Sequence, residues 1–188
     1  MRYEVLKIKQ IYSPNFEERK GLKADMICCH QTNCSMEECI DTFCDEVSNL
    51  SAHFVVDKNG EIYNFVPIDK SAKANKTSYK SSLSQDFFCR SLNSIVAGRK
   101  QDANLYTVSV SFENDRSGVL TATQYFSGLI LFEYIIREIK QIYNVDFILD
   151  RKHFVGHYEL TPALTPNCPG IDFPFNLFLK DLKQRNNS

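Results

Sequence analysis

Strands and amphipathic helices interleave along this chain of 188 residues, and that alternation predicts an α/β fold. Three stretches carry the prediction. Leu105-Tyr-Thr-Val-Ser-Val-Ser-Phe-Glu113 alternates with period two, the mark of a strand with two unlike faces. Ser51-Ala-His-Phe-Val-Val56 and Glu61-Ile-Tyr-Asn-Phe-Val66 flank Asp57-Lys-Asn-Gly60, a hairpin with glycine where the turn needs a positive φ. Thr121-Ala-Thr-Gln124 is a capping box that opens a helix to about Tyr143, with Tyr125, Leu129, Phe132, Ile136, Ile139 and Tyr143 as its apolar stripe.

The remaining elements follow in chain order. Val5 to Ile11 reads as an edge strand or capping arm, and Pro14 to Leu22 as a polar loop. Ala24-Asp-Met-Ile-Cys-Cys29 is a short apolar run, hence a buried strand, and it delivers His30 at its carboxyl end. Ser35-Met-Glu-Glu38 is a second capping box, opening a helix to about Val47 whose apolar face is Met36, Cys39, Ile40, Phe43 and Val47. From Pro67 to Leu105 the pattern weakens; Lys70 to Ser84 reads as an irregular loop and Arg90 to Arg99 as a short helix. Asp146 to Asp150 is a connector or short strand, and Phe173 to Leu182 a closing helix. No repeat or linker interrupts the chain, so a single domain over residues 1–188, with its core at about 20–183, is expected.

Composition narrows the function classes. A net charge of −1 supplies no general attraction to nucleic acid or an anionic membrane. The amino terminus lacks the apolar core of a signal peptide, and no apolar run is long enough to span a bilayer. Synthesis in the cytoplasm is expected. Seven cysteines, an odd number without an export signal, favour core filling over a disulfide scaffold; a metal knot of Cys28, Cys29 and Cys34 is the alternative for part of them.

Chemistry concentrates between Val155 and Gly170 (Val-Gly-His-Tyr-Glu-Leu-Thr-Pro-Ala-Leu-Thr-Pro-Asn-Cys-Pro-Gly). Pro162 and Pro166 preclude a continuous helix, so a shaped loop runs from His157 to Cys168. With His30 these residues would offer a zinc ion two nitrogens and one sulfur, leaving a fourth position open for catalysis. Such a metal activates water and polarises a carbonyl, and Glu113 would carry the proton to the leaving nitrogen. That set suffices for amide hydrolysis, although no short motif ties the ligands together.

The segments Met26-Ile-Cys-Cys-His30, Ser51-Ala-His-Phe-Val-Val-Asp-Lys-Asn-Gly-Glu-Ile-Tyr63 with Val66-Pro67, Ser109-Val-Ser-Phe-Glu113, Val155-Gly-His-Tyr-Glu159 and Asn167-Cys-Pro-Gly170 occur in a meaningful order. In them the chain resembles the zinc-dependent N-acetylmuramoyl-L-alanine amidases of the T7 lysozyme and peptidoglycan recognition protein superfamily, above all the catalytic domains of endolysins from phages of clostridial-type bacteria. The resemblance spans roughly Ala24 to Phe175. It implies a central mixed sheet flanked by helices, one Zn2+ on His30, His157 and Cys168, and Glu113 as the catalytic carboxylate. It also implies peptidoglycan as substrate, cut between N-acetylmuramic acid and L-alanine, and an endolysin that acts on the wall after release through a separate pore-forming protein. Many endolysins carry a separate wall-binding domain; the sequence stops at Asn186-Asn-Ser188 without one, so the expectation is either an enzyme that works alone or a longer natural product.

Three departures from the family pattern stand out. No lysine or arginine lies between His157 and Cys168, and Thr165 stands near the place of the family's oxyanion-stabilising lysine. The loop often written Ala-Trp-His-Ala-Gly is Ala72-Lys-Ala-Asn-Lys-Thr77, where Asn75 is expected to hydrogen-bond substrate. Ser111 replaces a common glycine, narrowing the site floor. Plainer readings are His53 as a structural histidine, His153 as a surface residue, Glu159 as either a ligand-orienting or a solvated carboxylate, and Lys70 to Lys80 as a solvated loop. Rival functions are a non-catalytic peptidoglycan-binding module, a zinc-stabilised structural domain, and Cys168 as a nucleophile.

Overall fold

The computed structural model describes residues 6–80, 86–88, 90–99, 101–114 and 117–186. Its centre is a six-stranded mixed sheet in the order β1-β5-β4-β9-β3-β10. These strands are β1 (Ile8–Gln10), β3 (Met26–Gln31), β4 (Phe54–Val56), β5 (Ile62–Asn64), β9 (Thr107–Phe112) and β10 (Phe154–Gly156). Only the β4–β5 hairpin is antiparallel; β1, β9, β3 and β10 pair in parallel with their neighbours. Gly60 closes the hairpin at φ 82, as the turn required.

Side-chain alternation on these strands separates two faces. One face, with Ile27, Cys29, Phe54, Val56, Val108, Val110 and Phe112, packs under α3 (Ala122–Tyr143) and α5 (Phe175–Asn186). Phe132 and Phe178 meet edge to face there, with ring centroids 5.0 Å apart. The opposite face is divided. Met26, Cys28, Tyr106 and Val155 pack with Val96 of α2 (Ser94–Arg99) and Leu160 of α4 (His157–Leu160). Val55 and Tyr63 pack with Met36 and Cys39 of α1 (Met36–Cys44). Cys28 and Cys29 thus fall in separate clusters, which dismantles the three-cysteine metal knot.

Both capping boxes form, at Ser35 and Thr121. Helix α1 ends at Cys44, earlier than expected, because Asp45 turns extended at ψ 117; Val47 is consequently 88% exposed and not on the packed face. Leu105 lies in a 3-10 turn (Ala103–Leu105) and not in β9, since the Asp102 carboxylate caps Asn104 N at 3.0 Å. The stretches read as loops hold short strands: β2 (Phe16–Glu18) pairs with β6 (Lys70–Ala72), and β7 (Ser78–Lys80) with β8 (Asp86–Phe88). Three-residue strands are too short to imprint a period. Cys89 and residues 81–84 of the lysine-rich stretch lie outside the described residues. No helix among the described residues is long and apolar enough to cross a membrane.

Candidate active site

Parallel pairing places the key residues. Gly156 of β10 pairs with Cys29 of β3, so the residues that follow, His157 and His30, emerge side by side at the carboxyl ends of their strands. His30 in turn pairs with Ser111 of β9. Glu113 stands two residues beyond Ser111 on the same face, about 7 Å further along the strand. All three therefore gather at the carboxyl edge of the parallel strands, where α/β sheets commonly open to ligands.

Cys168 is brought in by the loop. Its carbonyl accepts from Tyr158 N at 2.9 Å, and its own N–H donates to Thr165 O at 3.2 Å. Glycine makes this return possible. A Cβ on Gly156 would meet the Tyr158 ring at 2.8 Å and Pro169 Cδ at 2.9 Å. At Gly170, where φ is 115, a Cβ would run into the backbone of Ser117 and Gly118, against which the loop is pinned by Asp172 N donating to Ser117 O at 3.0 Å. The loop opens with one helical turn, α4, before the prolines end it.

His30, His157 and Cys168 offer ligand atoms that all lie within 4.8 Å of one another. The two imidazole rings are 4.5 Å apart, and Cys168 Sγ is 3.9 Å from His30 Nδ1. Nitrogen and sulfur on one tetrahedral zinc stand about 3.6 Å apart, so the group needs only a slight contraction to hold the ion. Protonation favours it too. Burial, then the neighbouring His157, holds the His30 pKa well below its usual value, and burial takes His157 down to about 4. Both rings are neutral ligands near pH 7. Burial raises the Cys168 thiol to about 11, so it is a poor free nucleophile, and a bound cation would be what deprotonates it. The residues present fit a zinc ion.

The other expected site residues are placed as follows. Glu113 is partly buried, and one carboxylate oxygen accepts from Lys58 N at 3.0 Å. It lies outside the three-residue ligand group. Thr165 donates to Thr161 O at 3.1 Å, and its Oγ1 lies 2.9 Å from Thr161 Oγ1. Asn75 differs from the expectation of a substrate contact. It is fully buried, with its amide nitrogen 2.9 Å from both Thr107 Oγ1 and Ser109 Oγ. A side chain without exposed surface reaches other side chains and not a bound ligand. Glu159 is neither solvated nor a ligand partner: it pairs with Arg151, whose guanidinium lies 3.8 Å over the Phe175 ring. His153 is not a free surface residue either, since it is bound to Asp150 at 2.8 Å with its side chain only 13% exposed.

His53 is built into the frame. Its Nδ1 accepts from Ser109 N at 3.0 Å, so the ring proton sits on Nε2, 3.0 Å from Lys70 O. Arg19, buried and donating to the carbonyls of Ile68, Leu105 and Thr107, brings its Nη2 to 3.0 Å from the same Nε2. Burial first, and the Arg19 charge second, lower the His53 pKa to about 3. Sequence reasoning missed Arg19, which sits in a stretch read as polar loop. Beside Cys168 a pocket of about 260 Å³ opens between Tyr158, Pro166, Asn167, Gly170, Ile171 and Phe175.

Two imidazoles and a thiol thus gather at the parallel strand ends of a mixed sheet. Comparison with known proteins supplies the family. The N-acetylmuramoyl-L-alanine amidase family model matches residues 20–171, and the chain belongs to that family. Among solved structures it is similar to a selenomethionine derivative of AmpD, at 17% identity over 95% of each chain and a TM-score of 0.68. It is also similar to the N-acetylmuramoyl-L-alanine amidase LysC from Clostridium intestinale URNW, at 18% identity over 95% of this chain and 99% of that one, with a TM-score of 0.61. The endolysin amidase LysCS from the same organism matches at 19% identity over 94% and 95%, with a TM-score of 0.59. Likeness at such identities establishes the shared fold. No curated protein matches at a significant level.

Proposed function

We propose that this chain is a zinc-dependent peptidoglycan amidase of endolysin type, cutting the amide between N-acetylmuramic acid and the L-alanine of the stem peptide. The observation that carries the reading is the convergence of His30, His157 and Cys168 within 4.8 Å from segments far apart in sequence, in a chain of an amidase family. These three would hold the ion, and once bound it would supply Lewis-acid activation of water and of the scissile carbonyl.

The chain's own residues would do the rest. Glu113, anchored through one oxygen by the Lys58 amide, keeps its other oxygen to take a proton and return it to the leaving nitrogen of alanine. The hydroxyl of Thr165 would turn from Thr161 towards the developing oxyanion; as a neutral donor it stabilises that charge less than an ammonium would. The pocket beside Cys168 is sized for a peptide side chain and would receive part of the stem. Residues 1–188 would act as one catalytic domain, delivered to the wall from the cytoplasm.

Zinc content, together with release of new amino-terminal alanine from purified cell walls with and without chelator, tests this. About one zinc per chain with chelator-sensitive release is the expected result. Zinc without release would favour the wall-binding module, and release unaffected by chelator would remove the metal from the chemistry.

A further inference from the structure

Below the ligand group runs a line of buried polar atoms whose directions can be worked out one after another. The Thr107 hydroxyl lies 2.7 Å from Ala103 O and spends its single proton there, so its oxygen can only accept. The end of the Asn75 carboxamide that lies 2.9 Å from Thr107 Oγ1 must therefore be the amino end, and the same nitrogen reaches Ser109 Oγ at 2.9 Å. The backbone of Asn75 is held as well, since Asn104 Oδ1 accepts from Ala74 N at 3.1 Å and from Asn75 N at 2.5 Å. The carboxamide cannot flip. Its Oδ1 is buried with no hydrogen-bond partner.

His30 Nε2 is also buried with no partner, and the Asn75 side chain reaches this ring. As they stand, neither the Asn75 oxygen nor the His30 nitrogen makes a hydrogen bond. An orphaned acceptor beside an orphaned ring nitrogen has one satisfactory arrangement, in which the nitrogen carries the proton.

We propose that Asn75 is a positioning residue for His30: its Oδ1 accepts the Nε2 proton, fixes the ring in the Nε2–H tautomer, and leaves the Nδ1 lone pair facing Cys168 and His157. The 3.9 Å approach of Cys168 Sγ to His30 Nδ1, and not to Nε2, is the geometry this requires. Orientation of a ligating imidazole through its second nitrogen is how outer partners raise metal affinity. Thr107, Ser109 and Asn104 serve in turn to hold Asn75. The proposal rests on His30 being a zinc ligand.

The test pairs a measurement on the unaltered protein with variants. In metal-free wild type, long-range proton–nitrogen spectra of the imidazoles should show His30 protonated at Nε2; protonation at Nδ1 would overturn the proposal without any substitution. Zinc affinity, read by competition with a chromogenic chelator, should fall about 10- to 100-fold in Asn75→Leu. A folded Asn75→Leu that binds zinc like wild type would also overturn it. Cys168→Ala separates the two readings. If that variant binds zinc as tightly as wild type, or wild type binds none, the ligand assignment itself falls; if Cys168→Ala loses zinc while Asn75→Leu does not, only the role of Asn75 falls.

Discussion

His30 and His53 are both buried histidines near the central sheet, and they differ in what their nitrogens meet. His53 has Ser109 N–H on one nitrogen and Lys70 O on the other, with Arg19 against the ring. His30 has no hydrogen-bonded partner at Nε2 and faces a thiol and a second imidazole with Nδ1. Burial depresses the basicity of both. A buried histidine satisfied on every side by fixed groups is part of the frame. One whose lone pair meets other ligand-type atoms at the open end of parallel strands is poised for a cation. Burial does not separate the two cases; the neighbours do.

Removing a member of the ligand region should have the largest effect. Cys168→Ala is expected to lose zinc and wall lysis together, measured by elemental analysis and turbidity clearing; full activity would put His30 back beside His53 as structure. Glu113→Gln should keep zinc, since Glu113 lies outside the ligand group, while kcat falls by about 10²–10⁴. Unchanged turnover would remove Glu113 from proton transfer.

Changes at His53 should behave in the opposite way. His53→Ala leaves the Ser109 amide and Lys70 carbonyl unpaired and opens a cavity, and should cost about 2–4 kcal/mol by urea unfolding, with zinc still bound by the folded fraction. The same histidine sets a pH dependence. Its folded pKa of about 3 lies below the ordinary 6.5, so the unfolded chain takes up a proton that the folded chain refuses as pH falls below 6.5. The stability present above about pH 6.5 is lost progressively towards pH 3. Between pH 7 and pH 5 this one group should account for about 2 kcal/mol, which His53→Gln should remove from the metal-free protein. An identical slope in both proteins would show that the buried ring is not the cause. The smallest effect is expected at Thr165, where Lys should raise kcat by roughly several-fold if the position faces the oxyanion; a changed KM with kcat constant would assign it to substrate binding instead.

Much of this architecture is legible in the order of residues. Thr121 and Gln124 announce the start of α3, and its end at Tyr143 is readable from the apolar stripe. The period of two in β9 separates Val108, Val110 and Phe112 from Thr107, Ser109 and Ser111, and the apolar set does pack under α3 and α5. The order His30, His157, Cys168 with glycine and proline around the last two is enough to suggest one cluster. Asn75 and Arg19 were not readable in this way, because their partners come from residues far along the chain.

The sequence by itself determined the elements whose signals are local: caps, turns and hydrophobic periods act over a few residues, and they specify a mixed sheet between helices. Tertiary structure alone decided which buried polar groups are satisfied. Asn75 was expected at the substrate, yet Thr107, Ser109 and Asn104 hold its side-chain nitrogen and backbone in the interior. His53 could have faced a site, and Arg19 with the Lys70 carbonyl holds it in the frame. The physical reason is that a buried donor or acceptor must find its partner wherever the fold supplies one, and parallel pairing of β9, β3 and β10 supplies partners from segments that no local pattern connects.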